Sequence, residues 1–307
     1  MTPQAYCRQQ AAQSGSSFYY SFLFLPTTQR DAIMALYAFC RAVDDVVDTV
    51  QDPSVAASKL AWWRSEIDRM FAANPAAPAT HPICQALYAP ATSFGISAND
   101  LKAVIAGMDM DLHQHSYVDD EALSVYCWRV AGIVGQMSAR IFNDAAPSPA
   151  QAHSACDTYA LHMGQALQRI NIIRDVGEDA LRGRVYIPLD VLAKHGVKLT
   201  DVLARKPLVA AGKPTPAMRA VLQDCAAQAR THLNLALDAL PTAQVRAQRS
   251  GLIMGRVYAA LLAEIERSGF PVLSQRVSLT PLKKLSLAWR TWVAPARAIK
   301  ALRTLAT

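Results

Sequence analysis

Apolar residues recur along this chain at helical rather than strand spacing. The run Ala32-Ile33-Met34-Ala35-Leu36-Tyr37-Ala38-Phe39-Cys40 is almost wholly apolar. A second run, Ala166 to Ile173, is apolar except for Gln168, Arg169 and Asn171. Alanine is abundant, glycine is sparse, and alternating β-branched stretches are rare, so the pattern predicts an all-α protein. Breaks fall at Pro53, between Asn74 and Pro82, at Pro147 and Pro149, around Pro188, between Gly212 and Pro216, at Pro241, and at Gly269-Phe270-Pro271. They divide the chain into about eight to ten helices. None of these breaks has the composition of an interdomain linker, and the expectation is one helical bundle. Residues 1–275 are read as its body and 276–307 as a basic amphipathic tail.

Two acidic clusters interrupt this apolar text. They are Asp44-Asp45-Val46-Val47-Asp48 and Asp175-Val176-Gly177-Glu178-Asp179. Each places carboxylates at i and i+4, one turn apart on one helix face, where like charges repel. Each follows an arginine, Arg41 or Arg174. A solvated face is the ordinary explanation for one such turn. Apolar surroundings and duplication favour a shared cation instead. Mg²⁺ suits this pattern, because it takes one or two carboxylates together with substrate phosphates. Gln168 and Asn171 extend the second cluster into a polar stripe, and buried amides need partners.

Composition narrows the picture further. No apolar stretch reaches the length of a membrane span, and the first residues lack the basic-then-apolar order of a secretory signal. The six cysteines are scattered without a C-x-x-C pair, as in a reduced cytoplasmic protein. The net charge of +7 is uneven. After Glu266 there is no acidic residue, whereas Arg267, Arg276, Lys283, Lys284, Arg290, Arg297, Lys300 and Arg303 follow. Trp289 and Trp292 lie among them, which suits an amphipathic helix on the inner face of an anionic membrane. The other reading, a basic helix docked on its own bundle, stays open. Nucleic acid is not an expected partner, since the charge is confined to one end and no binding motif accompanies it.

Four segments together carry a family resemblance. They are Ser16-Ser17-Phe18-Tyr19-Tyr20-Ser21-Phe22, Tyr37 to Asp48, Tyr126 to Gly135, and Gln168 to Asp179. In order and spacing they resemble the squalene and phytoene synthase family, most closely the bacterial presqualene-forming branch of hopanoid and squalene biosynthesis. The resemblance implies an isoprenoid synthase bundle around a central apolar cavity, joining two farnesyl diphosphates head to head into presqualene diphosphate. It further implies that Asp44, Asp48, Asn171, Asp175 and Asp179 hold several Mg²⁺ ions. It places Ser17, Arg41, Gln168, Arg174, Arg184 and Arg276 on the diphosphates, and makes Tyr37, Tyr126, Asn171 and Tyr258 catalytic, the tyrosines by stabilising carbocations or hydrogen-bonding diphosphate and Asn171 by orienting diphosphate or metal-bound water. NADPH is not expected. Downstream isoprenoid enzymes are natural partners.

Other readings stay open at this stage. The product of a phytoene, dehydrosqualene or complete squalene synthase is one alternative. A head-to-tail prenyltransferase also uses D-D-x-x-D, but Asp175 to Asp179 matches neither form of its second motif. A non-catalytic helical protein on a membrane surface is the last. The small residues Ala131, Gly132, Gly135, Ser138 and Ala139 leave room either for a close neighbouring helix or for a prenyl chain. His113 and His115 diverge on a helix and are read as surface residues, and His81, His153, His162, His195 and His232 as isolated ones. No G-x-G-x-x-G or Walker sequence is present.

Overall fold

Proline sets where many of the helices begin. Pro53, Pro82, Pro216, Pro281 and Pro295 each sit in a first turn, where a missing N–H costs nothing. Asp52, Ser97, Asp119, Thr215 and Thr280 cap the helices that follow them by accepting backbone N–H groups. The computed structural model describes residues 1–13, 18–50, 52–73, 78–143, 156–210 and 212–306.

The first half of the chain contains α1 (Pro3–Gln13), α2 (Tyr19–Phe22), α3 (Thr27–Thr49), α4 (Pro53–Phe71), α5 (Pro82–Ser93), α6 (Ala98–His113), α7 (Asp120–Cys127) and α8 (Ile133–Phe142). A π-helical turn, Trp128–Gly132, joins α7 to α8 without a break. The second half contains α9 (Asp157–Leu181), α10 (Leu189–Lys194), α11 (Leu199–Ala204), α12 (Pro216–Ala239), α13 (Arg249–Arg267), α14 (Pro281–Val293) and α15 (Pro295–Leu305). A two-residue antiparallel pairing of Val209–Ala210 with Lys213–Pro214 is the one small sheet among the described residues. The helical segments outnumber the eight to ten expected. Segments such as α2, α10 and α11 are too short to show a hydrophobic period, and the π turn divides what reads as one helix.

Two apolar half-cores meet in this bundle. One gathers residues of α1, α3, α4, α5, α6 and α8, including Phe39, Leu60, Ile67, Leu87 and Ile105. The other gathers α7, α9, α12 and α13 with the C-terminal helices, including Tyr159, Ile173, Leu222 and Leu262. Phe18, Val130 and Met254 are partly buried against both. The seam is therefore apolar, and each acidic cluster lies on a helix of a different half-core: α3 on one side, α9 on the other.

Close helix packing explains the small residues. A Cβ on Gly164 would stand 2.4 Å from the Ala131 carbonyl, and one on Gly135 would stand 2.5 Å from that of Ala160. Ala131, Gly132 and Gly135 thus let α9 approach the π turn and α8. The tail residues pack as well. Ala288, Ala298 and Leu302 are buried, Asn234 donates to the Ala306 carbonyl, and Arg249 stacks over Trp292 at 3.9 Å. The cysteines are all free thiols. His113 and His115 are exposed and His153 lies outside the described residues, but the other histidines read as isolated are not: His81 packs against the Trp63 ring at 4.7 Å, and His162 and His232 bring their Nδ1 atoms to 3.2 Å between α9 and α12. His195 lies 2.8 Å from Asp224. Helix pairing, invisible in a linear reading, creates these contacts.

Candidate active site

On α3, the apolar face faces the core while Arg41, Asp44, Asp45 and Asp48 emerge from its C-terminal half. Arg41 bonds Asp44 at 2.9 Å and Asp45 at 2.7 Å, the local ion pairing that helical spacing allows. Asp44 nevertheless remains crowded. Burial, followed by the nearby Asp48, pushes its carboxyl up to about 7.

On α9, the same logic operates in mirror. Arg174 grips both oxygens of Asp175, one of them from Nε at 2.7 Å. Asp179, one turn further on, is pushed up to about 8, first by burial and then by Asp175. Asn171 donates to Gln168 Oε1 at 3.4 Å, while its own buried Oδ1 has no hydrogen-bond partner. The predicted polar stripe Gln168–Asn171–Asp175 therefore exists, with one open oxygen lone pair in it. Tyr258 of α13 is buried, and burial raises its phenol against the lowering influence of neighbouring Arg174 and Asn171.

The end of α9 turns the chain back across the seam. Gly183 has φ +75°, the left-handed conformation that ends many helices and suits glycine. Arg184 then reaches α3. Its Nη1 bonds Asp48 at 3.0 Å and its Nη2 bonds the Val47 carbonyl at 2.9 Å. Arg182 stands 3.7 Å from the same carboxylate. These contacts place the two acidic turns on one mouth. Asp44 and Asp179 each feel the charge of a third carboxylate, Asp111, from α6.

Asp111 was missed by the motif reading. It is 4% exposed, and it accepts from Tyr186 at 2.7 Å and Tyr126 at 3.0 Å. Burial raises it to about 6, against the lowering effect of Arg184. The rings of Tyr126 and Tyr186 stack at 5.0 Å. The loop holding Tyr186 is tied down by Val185 N–H to the His115 carbonyl at 2.9 Å and Leu189 N–H to that of Tyr117 at 2.9 Å. A signal for Asp111 does exist in the sequence. The buried stripe Leu101, Val104, Ile105, Met108 continues at helical spacing onto Asp111.

The remaining candidates fall as follows. Arg276 comes from the segment after Pro271–Leu273 and stands 3.2 Å from Asp175 and 3.6 Å from Glu178. Gly177 makes this approach feasible, since a Cβ there would lie 2.6 Å from the Val272 carbonyl. Tyr37 is half-buried, 6.2 Å from Phe18 and 6.3 Å from Phe22, and Phe18 lies 5.7 Å from Tyr258. Ser17 lies outside the described residues.

The donor set is all oxygen: carboxylates held unfavourably close, and an unpartnered amide oxygen. That chemistry fits a hard divalent cation. Among the described residues, no three acidic, histidine or cysteine side chains converge tightly enough to bind a metal unaided. The arrangement suits an ion that completes its shell with ligand oxygens and water.

Residues 11–283 match the Squalene/phytoene synthase family. The chain is 35% identical to a presqualene diphosphate synthase of Sinorhizobium fredii over 93% of its own length and 96% of that protein. It is 32% identical to a phytoene synthase of Arthrospira platensis, covering 91% and 89% of the two chains. In fold it is similar to a dehydrosqualene synthase solved with a ligand, at TM-score 0.80 and 21% identity, over 96% and 97% of the chains. A squalene synthase of Alicyclobacillus acidocaldarius superposes at TM-score 0.72 with 25% identity, over 87% and 94%.

Proposed function

The chain belongs to the squalene/phytoene synthase family of isoprenoid-forming prenyltransferases, and from that premise we propose that it condenses two farnesyl diphosphates head to head into presqualene diphosphate. The observation that carries this reading is the meeting of two acidic helix turns at one arginine-flanked mouth, bridged by Arg184.

Asp44 and Asp48 on α3, with Asn171, Asp175 and Asp179 on α9, would hold Mg²⁺ there. Bound Mg²⁺ supplies neutralisation of diphosphate charge, which makes diphosphate a better leaving group. Arg41, Arg174, Arg184 and Arg276 surround the mouth and offer forked N–H groups that match phosphate oxygens. Gln168 orients Asn171, and buried Tyr258 lies beside Asn171 and Arg174. The C–O bond of one farnesyl diphosphate breaks, and its C1 cation is attacked by the double bond of the second molecule. Proton loss then closes the cyclopropane. The faces of Tyr37 and Phe18 border this path and stabilise positive charge. The apolar seam excludes water that would capture the cation. Asp111 locks the hydroxyls of Tyr126 and Tyr186 at the same mouth, so both rings keep one orientation during the reaction.

The test is incubation of the protein and Mg²⁺ with farnesyl or geranylgeranyl diphosphate, with and without NADPH, followed by product identification. Presqualene diphosphate and inorganic diphosphate from farnesyl diphosphate alone are expected. Phytoene from geranylgeranyl diphosphate, or dehydrosqualene or squalene as the end product, would replace this reading with one of its relatives' activities. Turnover only when isopentenyl diphosphate is added would indicate head-to-tail chemistry.

A further inference from the structure

Helix α14 is amphipathic in an inverted sense. Its inward face carries Ala288 and Thr291, both 0% exposed. Its outward face carries Leu282 at 80%, Leu285 at 42%, Trp289 at 58% and Val293 at 62% exposure. Those four residues are spaced three, four and four apart, so they form one continuous stripe along the helix. No other element among the described residues exposes four large apolar side chains. Single exposed apolar residues are unremarkable, whereas a contiguous stripe marks an interaction surface.

The charges around the stripe identify what it meets. Lys283 and Arg290 flank it on the same helix, and Arg297 and Lys300 follow on α15, all exposed. No carboxylate pairs with Arg290, Arg297 or Lys300 among the described residues. Lys283 keeps one partner, Glu264 at 3.3 Å. From Arg267 to the last residue the sequence contains no acidic side chain. A protein partner would need an acidic apolar groove. An anionic bilayer supplies both features at once, with an apolar interior below a negatively charged surface. Trp289 is at home in that boundary, where its ring meets acyl chains and its N–H meets headgroups.

We propose that α14 is a monotopic docking helix, which lies in the surface of an anionic membrane with Leu282, Leu285, Trp289 and Val293 inserted. The tail does not leave the bundle to do this. Helix α15 stays docked through Arg230 to the Leu305 carbonyl and Asn234 to that of Ala306. The membrane-facing element is thus rigidly fixed to the body. Its inner side touches Phe24, which stacks on Trp292 at 5.4 Å and lies 6.2 Å from Trp289. The same segment carries Phe18 and Phe22 to Tyr37 and Tyr258. One short segment, from Phe18 to Phe24, therefore touches both α14 and the tyrosines of the site.

Co-sedimentation with vesicles tests this without reference to turnover. The wild type is expected to sediment with phosphatidylglycerol–phosphatidylcholine vesicles, at least tenfold less with phosphatidylcholine alone, and to be released by high salt. Leu282→Glu/Trp289→Glu should lower partitioning at least tenfold while leaving melting temperature and oligomeric state unchanged. Should that variant misfold, Arg290→Glu/Arg297→Glu, which leaves the apolar stripe intact, should still lower binding to the anionic vesicles severalfold. Wild-type protein that stays in the supernatant with both vesicle types overturns the proposal, as do folded variants that bind like wild type. A concentration-dependent dimer lost in Leu282→Glu/Trp289→Glu, without vesicle binding, would instead make the face an interface between two copies.

Discussion

Single carboxylates at this mouth are held against their own preference. Asp179 is the strongest case, since burial and Asp175 push its carboxyl up to about 8. An ionised Asp179 is repelled in the metal-free protein, so its value lies in what it binds. Asp179→Asn removes the charge and keeps the shape. The expected result is a melting temperature unchanged or raised by about 1–3 °C, with turnover lowered roughly 10²–10³-fold. Thermal denaturation beside a turnover assay checks it, and a destabilised variant would mean that Asp179 is a structural residue. Asp175 differs at the same spacing, because Arg174 and Arg276 already engage it. The linear motif makes the two aspartates look equivalent. Only their neighbours separate them.

At the scale of elements, two glycines do different work. Gly183 ends α9 and returns the chain so that Arg184 meets Asp48. Gly177 sits inside α9, where it lets the Pro271–Leu273 turn lie directly on the helix. Gly177→Ala would set a Cβ 2.6 Å from the Val272 carbonyl and 3.0 Å from that of Leu273. Both obstacles are backbone, so the turn has to move. The expected cost is about 1–3 kcal/mol, although alanine is the better helix former in isolation. Displacement of that turn carries Arg276 away from Asp175, so KM for the diphosphate substrate should rise more than kcat falls. Denaturant unfolding and steady-state kinetics check the two halves. A stabilised variant with unchanged KM would show that the turn yields freely. The helices themselves were legible from apolar spacing and proline placement. The close approach at Gly177 was not, because the contact joins residues far apart in the chain.

The whole molecule accumulates these local conflicts into a pH dependence. Asp44, Asp111 and Asp179 are raised to about 7, 6 and 8, first of all by burial. Between the ordinary carboxylate range and those values, the folded chain binds more protons than the unfolded one. Stability contributed by these groups therefore falls as pH rises from about 5 to about 8. The metal-free protein should melt at a higher temperature at pH 6 than at pH 8.5. Mg²⁺ with inorganic diphosphate should reverse the order, giving its largest increase at pH 8.5, where the carboxylates are already ionised. Differential scanning fluorimetry over that range checks it. A flat profile in the absence of metal would show that the three carboxylates do not share one field. Among the described residues, no helix is long and apolar enough to cross a membrane.

The sequence by itself determined the helical class, the two acidic turns and the arginines beside them, since helical periodicity and i, i+4 charge spacing are local properties. It also suggested the polar stripe Gln168–Asn171–Asp175, because that stripe runs along one helix. Only tertiary structure decided that α3 and α9 face each other across an apolar seam, that Asp111 stands between Tyr126 and Tyr186, and that α14 turns its apolar stripe outward. Each depends on which helix faces which. That choice is made by packing summed over the whole bundle, and no short stretch of sequence contains it.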